Sequence, residues 1–390
     1  MQLLTNTSLS HHKRRTINEN LFITIMKEQF FTLCILSILT FTVVSCSESD
    51  SEDQMTLIEE NHTPNPIDAY VPLASDDASS MKSVLGYGLD IMGEIGSYQS
   101  VKAQIIDLDR MDSEDPYSAV KIGTFQSFSR DLYGKNKNEY LAEMPYLFLD
   151  GRTLEQEELK GKILFTKGQS AYNFLSDGQN EYTYRSVHNY YLRYRCYYNG
   201  LTAKRYLKQS FVDDISSLSP QEIIEKYGTH VIAEYYDGIR FDLLYMAKIV
   251  PTRYSHKGEI ITIDEDKRDA IKVGYYKAME NSKCGSFNWE SMPDNTDRLL
   301  KANVNPILLL NAVGGDPSIV TRGFFNLEKT SPDSHMSEWY ATTHDLKNDE
   351  LFKMVEIGEL TPIYNYIKDP QKQEEVKKAV IEYISKNQPK

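Results

Sequence analysis

Tyr227-Gly228-Thr229-His230-Val231, with the alternating run that follows it through Asp237-Gly238-Ile239 to Ile249, decides how this chain is read. From Ile239 the odd positions are Ile239, Phe241, Leu243, Tyr245, Ala247 and Ile249, while the even positions include Arg240, Asp242 and Lys248. Alternation with period two is what a strand needs when one face lies on a core. Val231, Ala233 and Tyr235 carry the same phase back to His230. Thr229 to Ile249 therefore reads as one strand of roughly 70 Å at about 3.3 Å per residue, against about 5–6 residues for an ordinary strand. A strand this long must bend. Gly238 sits mid-run, where a missing Cβ permits a kink or bulge.

Tyr-Gly-Thr-His, one aliphatic or aromatic residue, six more residues and a Gly pair resembles the signature of the membrane attack complex/perforin (MACPF) family. Tyr227, Gly228, Thr229, His230 and Gly238 match it, whereas Val231 and Ile239 depart from its strictest form. Ile239 stands where the second Gly belongs, and a β-branched residue resists positive φ. The resemblance implies an α+β MACPF fold: a long, bent, four-stranded antiparallel sheet flanked by helices and by two helical clusters. It covers about Leu85 to Ser385.

The rest of the body is compatible with that order. Leu85–Ile91 reads as an entering strand, and Ser113–Ser186 as a long irregular region with short helices such as Leu154–Leu159. His188–Tyr198 reads as a second strand, and Thr202–Tyr227 as helical, with Pro220 opening its last helix and Gly228 just past its end. Pro251–Asn303 forms a second variable block, and Asn305–Val313 is an apolar strand ending in Gly314-Gly315-Asp316-Pro317. The resemblance makes Gly314 and Gly315, with Gly238, hinge candidates near the bend; the alternative is a simple turn, which Asp-Pro next door also favours. Asp369-Pro370 opens a closing helix with Val376, Ala379, Val380, Tyr383 and Ile384 on one face.

The N-terminus carries a processing signal. Phe30–Val44 is an apolar run too short to span a bilayer and suited to a signal-peptide core. It ends in Val43-Val44-Ser45-Cys46, which resembles a bacterial lipobox and implies a lipid thioether on Cys46. An ordinary signal peptide with an unrelated Cys is the alternative. Residues 1–45 are thus the signal peptide, with 1–25 either an over-extended start before Met26 or a long basic leader using Lys13, Arg14 and Arg15. Residues 46–80 read as an acidic flexible tether, 81–386 as the MACPF domain and 387–390 as a tail. An acidic patch just after the lipidated Cys is similar to the surface-export cue of Bacteroidetes-type lipoproteins, implying an outer-membrane protein facing outward. After Cys34 is removed and Cys46 used, Cys196 and Cys284 remain, either as a disulfide or as two buried thiols.

A net charge of -13 argues against nucleic acid as a partner. Neither His-Glu-x-x-His, Gly-x-Ser-x-Gly nor a phosphate-cradling Gly-x-x-x-x-Gly-Lys-[Ser/Thr] occurs. No catalytic residue, metal ligand or cofactor is assigned. His230 reads as a structural histidine at the strand start, and Asp264-Glu265-Asp266 as a solvated turn without the glycine and late Glu of a calcium loop.

In MACPF proteins the two variable blocks unfurl into amphipathic hairpins of a ring-shaped barrel. Both blocks here are long enough, since a spanning strand needs about 9–11 residues. Their patterning is poorer: Glu265–Asp269 is a charge run, and Ile271, Gly274, Tyr275 and Ala278 share a helical face. The resemblance implies either a pore-forming effector acting on the lipid or a surface receptor of a target cell through a homo-oligomeric ring, or a non-lytic surface adhesion or ligand-binding protein.

Overall fold

A computed structural model describes residues 56–58, 64–72, 83–94, 98–166, 182–285 and 295–388. Residues 1–45, read above as a signal peptide, Cys46 and the acidic stretch after it lie outside the described residues. The strands are β1 (Thr56–Leu57), β2 (Tyr70–Pro72), β3 (Tyr87–Leu89), β4 (Val101–Gln104), β5 (Ala119–Gly134), β6 (Thr183–Tyr198), β7 (His230–Ile249), β8 (Thr252–His256), β9 (Glu259–Ile263), β10 (Asn303–Val313), β11 (Gly323–Asn326) and β12 (Lys353–Pro362).

β7, 20 residues long, is the axis of the sheet. β6 pairs antiparallel along one edge, and β5 pairs with β6 beyond it. The other edge of β7 is divided. β10 pairs with Arg240–Ile249, and β12 with His230–Gly238. The four-stranded sheet therefore has a fourth position built from two segments, with Gly314–Phe352 looping out between them. β11 and β2 extend the sheet beyond β10, and β3 and β4 beyond the start of β7.

Four expectations change. β5 lies inside the region read as irregular. Its Lys121, Gly123, Ser127, Ser129 and Asp131 are exposed, so an edge strand carried no apolar alternation. The short helix expected at 154–159 is Gly151–Leu154, capped by Asp150. The second block is not wholly helical: the β8–β9 hairpin precedes its helix Lys267–Asn281. The tether reading also stops short, because Thr56–Leu57 and Tyr70–Pro72 are strands.

β7 itself departs from the half-buried strand that its alternation predicts. Arg240 is 3% exposed and Asp242 5%, as buried as Phe241 and Leu243 on the other face. Both faces are covered, and the polar positions meet protein rather than water.

Helix formation follows local chemistry. Pro220–Tyr227 starts with a capping box in which the Glu222 amide donates to Ser219 Oγ and the Glu222 carboxylate accepts from the Ser219 amide. Closing helix Pro370–Lys386 has Asp369 accepting from the Lys372 amide and buries Val376, Ala379, Val380 and Ile384. These helices join Val231, Ile232 and Tyr235 in one core; a second core lies beneath Tyr140, Leu147 and Phe148 of the first block.

Candidate functional site

Tyr227–His230 stitches three segments together. Gly228 has φ +75°, and a Cβ there would lie 2.4 Å from the Leu89 carbonyl oxygen, so only glycine lets the chain pass β3 this closely. The Thr229 amide donates to the Leu89 carbonyl at 2.9 Å, and the Ile91 amide donates to Thr229 Oγ1 at 3.2 Å. His230 is fully buried. Its Nδ1 lies 2.9 Å from Thr229 Oγ1 and its Nε2 3.4 Å from the Glu158 carboxylate, which also accepts from the Tyr364 hydroxyl at 3.0 Å. Burial pushes the Glu158 carboxyl up, but His230, a backbone hydrogen bond and the Tyr364 hydroxyl together outweigh it and hold the group below the usual carboxylate range. The motif binds the entering strand, Glu158 of the first block and the turn after β12 into one junction.

The three hinge candidates meet halfway up β7. A Cβ on Gly238 would lie 2.1 Å from the Tyr191 carbonyl oxygen; one on Gly314 would lie 2.8 Å from both Ile239 Cγ2 and the Leu351 carbonyl oxygen; one on Gly315 would lie 2.5 Å from Trp339 Nε1. Gly314 and Gly315 adopt φ of +75° and +64°, making the turn by which β10 leaves the sheet. Ile239 has ordinary φ and is buried, filling the space beside Gly314. The bulge expected at Gly238 sits across from it on β6: Leu192 faces Gly238 and Tyr194 faces Asp237, leaving Arg193 over. Arg193 is 1% exposed, and its guanidinium reaches Asp237 Oδ2 at 2.6 Å and Asp349 at 2.9 Å while stacking 3.9 Å from the Phe352 ring centre.

Above these glycines a polar network lies beneath the described part, residues 135–166, of the first block (135–182). Asp242 accepts from Arg240 Nε at 2.8 Å and from Asn311 Nδ2 at 2.9 Å, and His188 Nδ1 lies 2.7 Å from it. With the carboxylate ionised, His188 donates from Nδ1, and Ser186 Oγ sits 2.8 Å from Nε2. Tyr140, on the helix Lys137–Glu143, donates to Ser186 Oγ at 3.0 Å. Burial opposes ionisation of Asp242, but Arg240 and His188 outweigh it and hold the carboxyl far below its usual range. Ser186, His188 and Asp242 follow the bond order of a nucleophilic triad. Ser186 is 0% exposed, its hydroxyl taken up by Tyr140, and Phe148 packs edge-on against the His188 ring at 5.8 Å, so the three lie inside the core rather than in an open cleft. This network joins residues that no sequence spacing connects; β6–β7 register alone places His188 opposite Asp242.

No family model matches the sequence, and no curated protein matches it. Solved structures do. GNIP1Aa from Chromobacterium piscinae superposes with a TM-score of 0.56 at 18% identity, over 78% of this chain and 56% of that one. A putative cell invasion protein with a MAC/Perforin domain from Bacteroides thetaiotaomicron superposes with a TM-score of 0.55 at 15% identity, over 82% of this chain and 66% of that one. The chain has the MACPF fold. It spans between half and two thirds of the length of these two proteins.

The second block lies on the opposite face of the MACPF sheet. Its helix Lys267–Asn281 packs on β7 through Gly274, where a Cβ would lie 2.5 Å from the Tyr245 hydroxyl. That hydroxyl donates to Asn303 Oδ1 at 3.0 Å, and Asn303 Nδ2 donates to the carbonyls of Ala270 at 3.0 Å and Leu299 at 2.7 Å. Arg185 lies 5.5 and 5.6 Å from the rings of Tyr275 and Tyr276. Glu265 is not in a solvated turn. Its side chain is 2% exposed and pairs with Arg298 at 2.9 Å, while Asp266 caps the helix. Register puts Gly134, Thr183, Ile249 and Asn303 at one end of the sheet. Both blocks therefore leave from that end, the first between β5 and β6, the second between β7 and β10.

Among the described residues no group of three His, Cys, Asp or Glu could hold a metal ion. Cys196 and Cys284 are free thiols. No helix among these residues is long and apolar enough to cross a membrane.

Proposed function

We propose that this chain is a membrane-attacking outer-membrane lipoprotein, anchored through Cys46, that assembles into a ring and converts residues 135–182 and 250–302 into membrane-spanning hairpins. The observation that carries this reading is that both blocks leave the sheet from one end, each joining the ends of two adjacent long strands. Continuing β5, β6, β7 and β10 in their present directions would send two hairpins the same way. Each block exceeds two spanning strands of about 9–11 residues. A closed barrel is then required, because every backbone group in lipid must be paired. β5 supports the assembly: among the described residues it pairs only with β6, leaving a 16-residue edge for a second copy. The partner is the lipid or a surface receptor of a target cell. The activity needs no catalysis or cofactor.

A second reading, non-lytic adhesion or ligand binding on the same fold, is favoured by the firm attachment of the first block through Tyr140, His188, Asp242 and Arg240, and by the charge run Glu265–Asp269. Dye release decides between them. Protein lacking the acyl chain is added to phosphatidylethanolamine–phosphatidylglycerol vesicles and to phosphatidylcholine–cholesterol vesicles. Leakage with ring-shaped particles and SDS-resistant oligomers is expected. Absence of all three on both lipid mixtures removes the pore reading.

A further inference from the structure

The N-terminal segment adds a strand to each of two sheets. At one end, β1 lies on the outer edge of β8, Thr56 opposite Ser255 and Leu57 opposite Tyr254, with the Ile58 amide donating to the Arg253 carbonyl at 2.9 Å. At the other, β2 lies on the outer edge of β11, Tyr70 opposite Phe325 and Val71 opposite Phe324. The two attachments are unequal. At the β2 end, Ile67 is 4% exposed in the core that holds Ile307 and Phe324. Asn326 Nδ2 donates to the Ile67 and Asp68 carbonyls at 2.9 and 3.0 Å, and the Tyr70 ring lies 4.8 Å from that of Phe325. The β1 end has two residue pairs on the edge of a hairpin.

That hairpin belongs to the second block. β8 begins at Thr252, after Val250 and Pro251 at the end of β7, so any lengthening of β7 consumes the backbone of β8. β8 cannot change partners while β1 is on its edge and β9 on its other side. The β1 backbone bonds are thus among the contacts that must break before residues 250–302 can convert, and they lie at the weaker end of the segment.

We infer that the N-terminal segment is a strap, fixed to the sheet at Ile67–Pro72 and clipped to the second block at Thr56–Ile58, and that unclipping of β1 precedes conversion of that block. The conversion rests on the function proposed above; the clip does not.

The clip is tested with the pair Leu57→Cys and Tyr254→Cys in a chain that also carries Cys46→Ser and Cys284→Ser. The Ile58 amide bond marks its own pair as hydrogen-bonded, so Leu57 and Tyr254 form the neighbouring close pair, about 4.5 Å between Cα atoms and within disulfide reach. Amide exchange in β8, β9 and the helix Lys267–Asn281 is compared in the oxidised and reduced forms, and in Leu57→Asp alone. The cross-link is expected to slow exchange in β8 by about tenfold, the equivalent of one or two net hydrogen bonds, and Leu57→Asp to speed it. On the vesicles above, the oxidised form is expected to stay silent and dithiothreitol to restore leakage. Equal exchange in all forms, or leakage undiminished by the cross-link, overturns the strap. Slowed exchange with no leakage from either form leaves the strap standing and removes the pore.

Discussion

Gly238→Ala isolates the close approach at the bend. Gly238 has ordinary strand φ, so an alanine there meets no backbone strain of its own. Its methyl would be 2.1 Å from the Tyr191 carbonyl oxygen and 3.1 Å from Leu192 Cα, and backbone cannot swing aside as a side-chain tip can. β6 and β7 must part around the pairs Tyr191–Ile239 and Leu192–Gly238, next to the Arg193 bulge. Losing two ladder bonds costs about 2 kcal/mol net, and leaving one carbonyl buried without a donor adds about 1–3 kcal/mol, for about 3–5 kcal/mol in all. In a domain of about 300 residues that lowers Tm by roughly 5–8 °C. The control is Gly151→Ala at the start of a helix, where a Cβ meets nothing within 4 Å; it should be neutral or stabilise by about 0.4–1 kcal/mol. Calorimetry of the two variants beside the parent is the assay. A Gly238→Ala Tm equal to that of Gly151→Ala would refute the close approach.

Gly315→Ala and Gly161→Ala form a second pair: both sites have positive φ, but only Gly315 has a neighbour, Trp339 Nε1, so Gly161→Ala should cost about 1–2 kcal/mol and Gly315→Ala more in chemical denaturation. Asp242→Asn should cost about 3–5 kcal/mol at pH 7, because Arg240 and His188 lose a buried charge partner. Since the folded carboxyl sits below its unfolded value, its stabilisation is present above about pH 4 and is lost as pH falls through the folded value. The gap between parent and variant should therefore narrow only in acid, and a gap constant down to pH 2 would contradict the pairing. Cys46→Ser should move the protein from the membrane to the soluble fraction; unchanged fractionation rules out the lipid anchor.

The sequence exposed what was locally encoded. β7 announced itself through alternation, and Asp369-Pro370 marked a helix that starts where it was expected. β5 stayed hidden because an edge strand with Lys121, Ser127, Ser129 and Asp131 looks like a solvated loop. Arg240 and Asp242 were legible as polar positions but not as buried ones, since what covers them comes from Phe148 and His188, distant in sequence and joined only by register. The same holds at the bend. Gly238, Gly314 and Gly315 were each visible, whereas Arg193 was not, because nothing local distinguishes a bulge residue held by Asp237 and Asp349.

Whether the second block becomes a strand can be read directly from periodicity. Single cysteines at positions 267–281 other than Gly274, where a Cβ would meet Tyr245, carry an environment-sensitive dye, and emission is recorded in solution and on vesicles that leak. In solution, shielding should follow the helix, with Ala270, Ile271, Val273 and Ala278 protected. On leaking vesicles it should change to alternation with period two, lipid on one face and water on the other. Helical periodicity that persists on leaking vesicles would contradict conversion of this block.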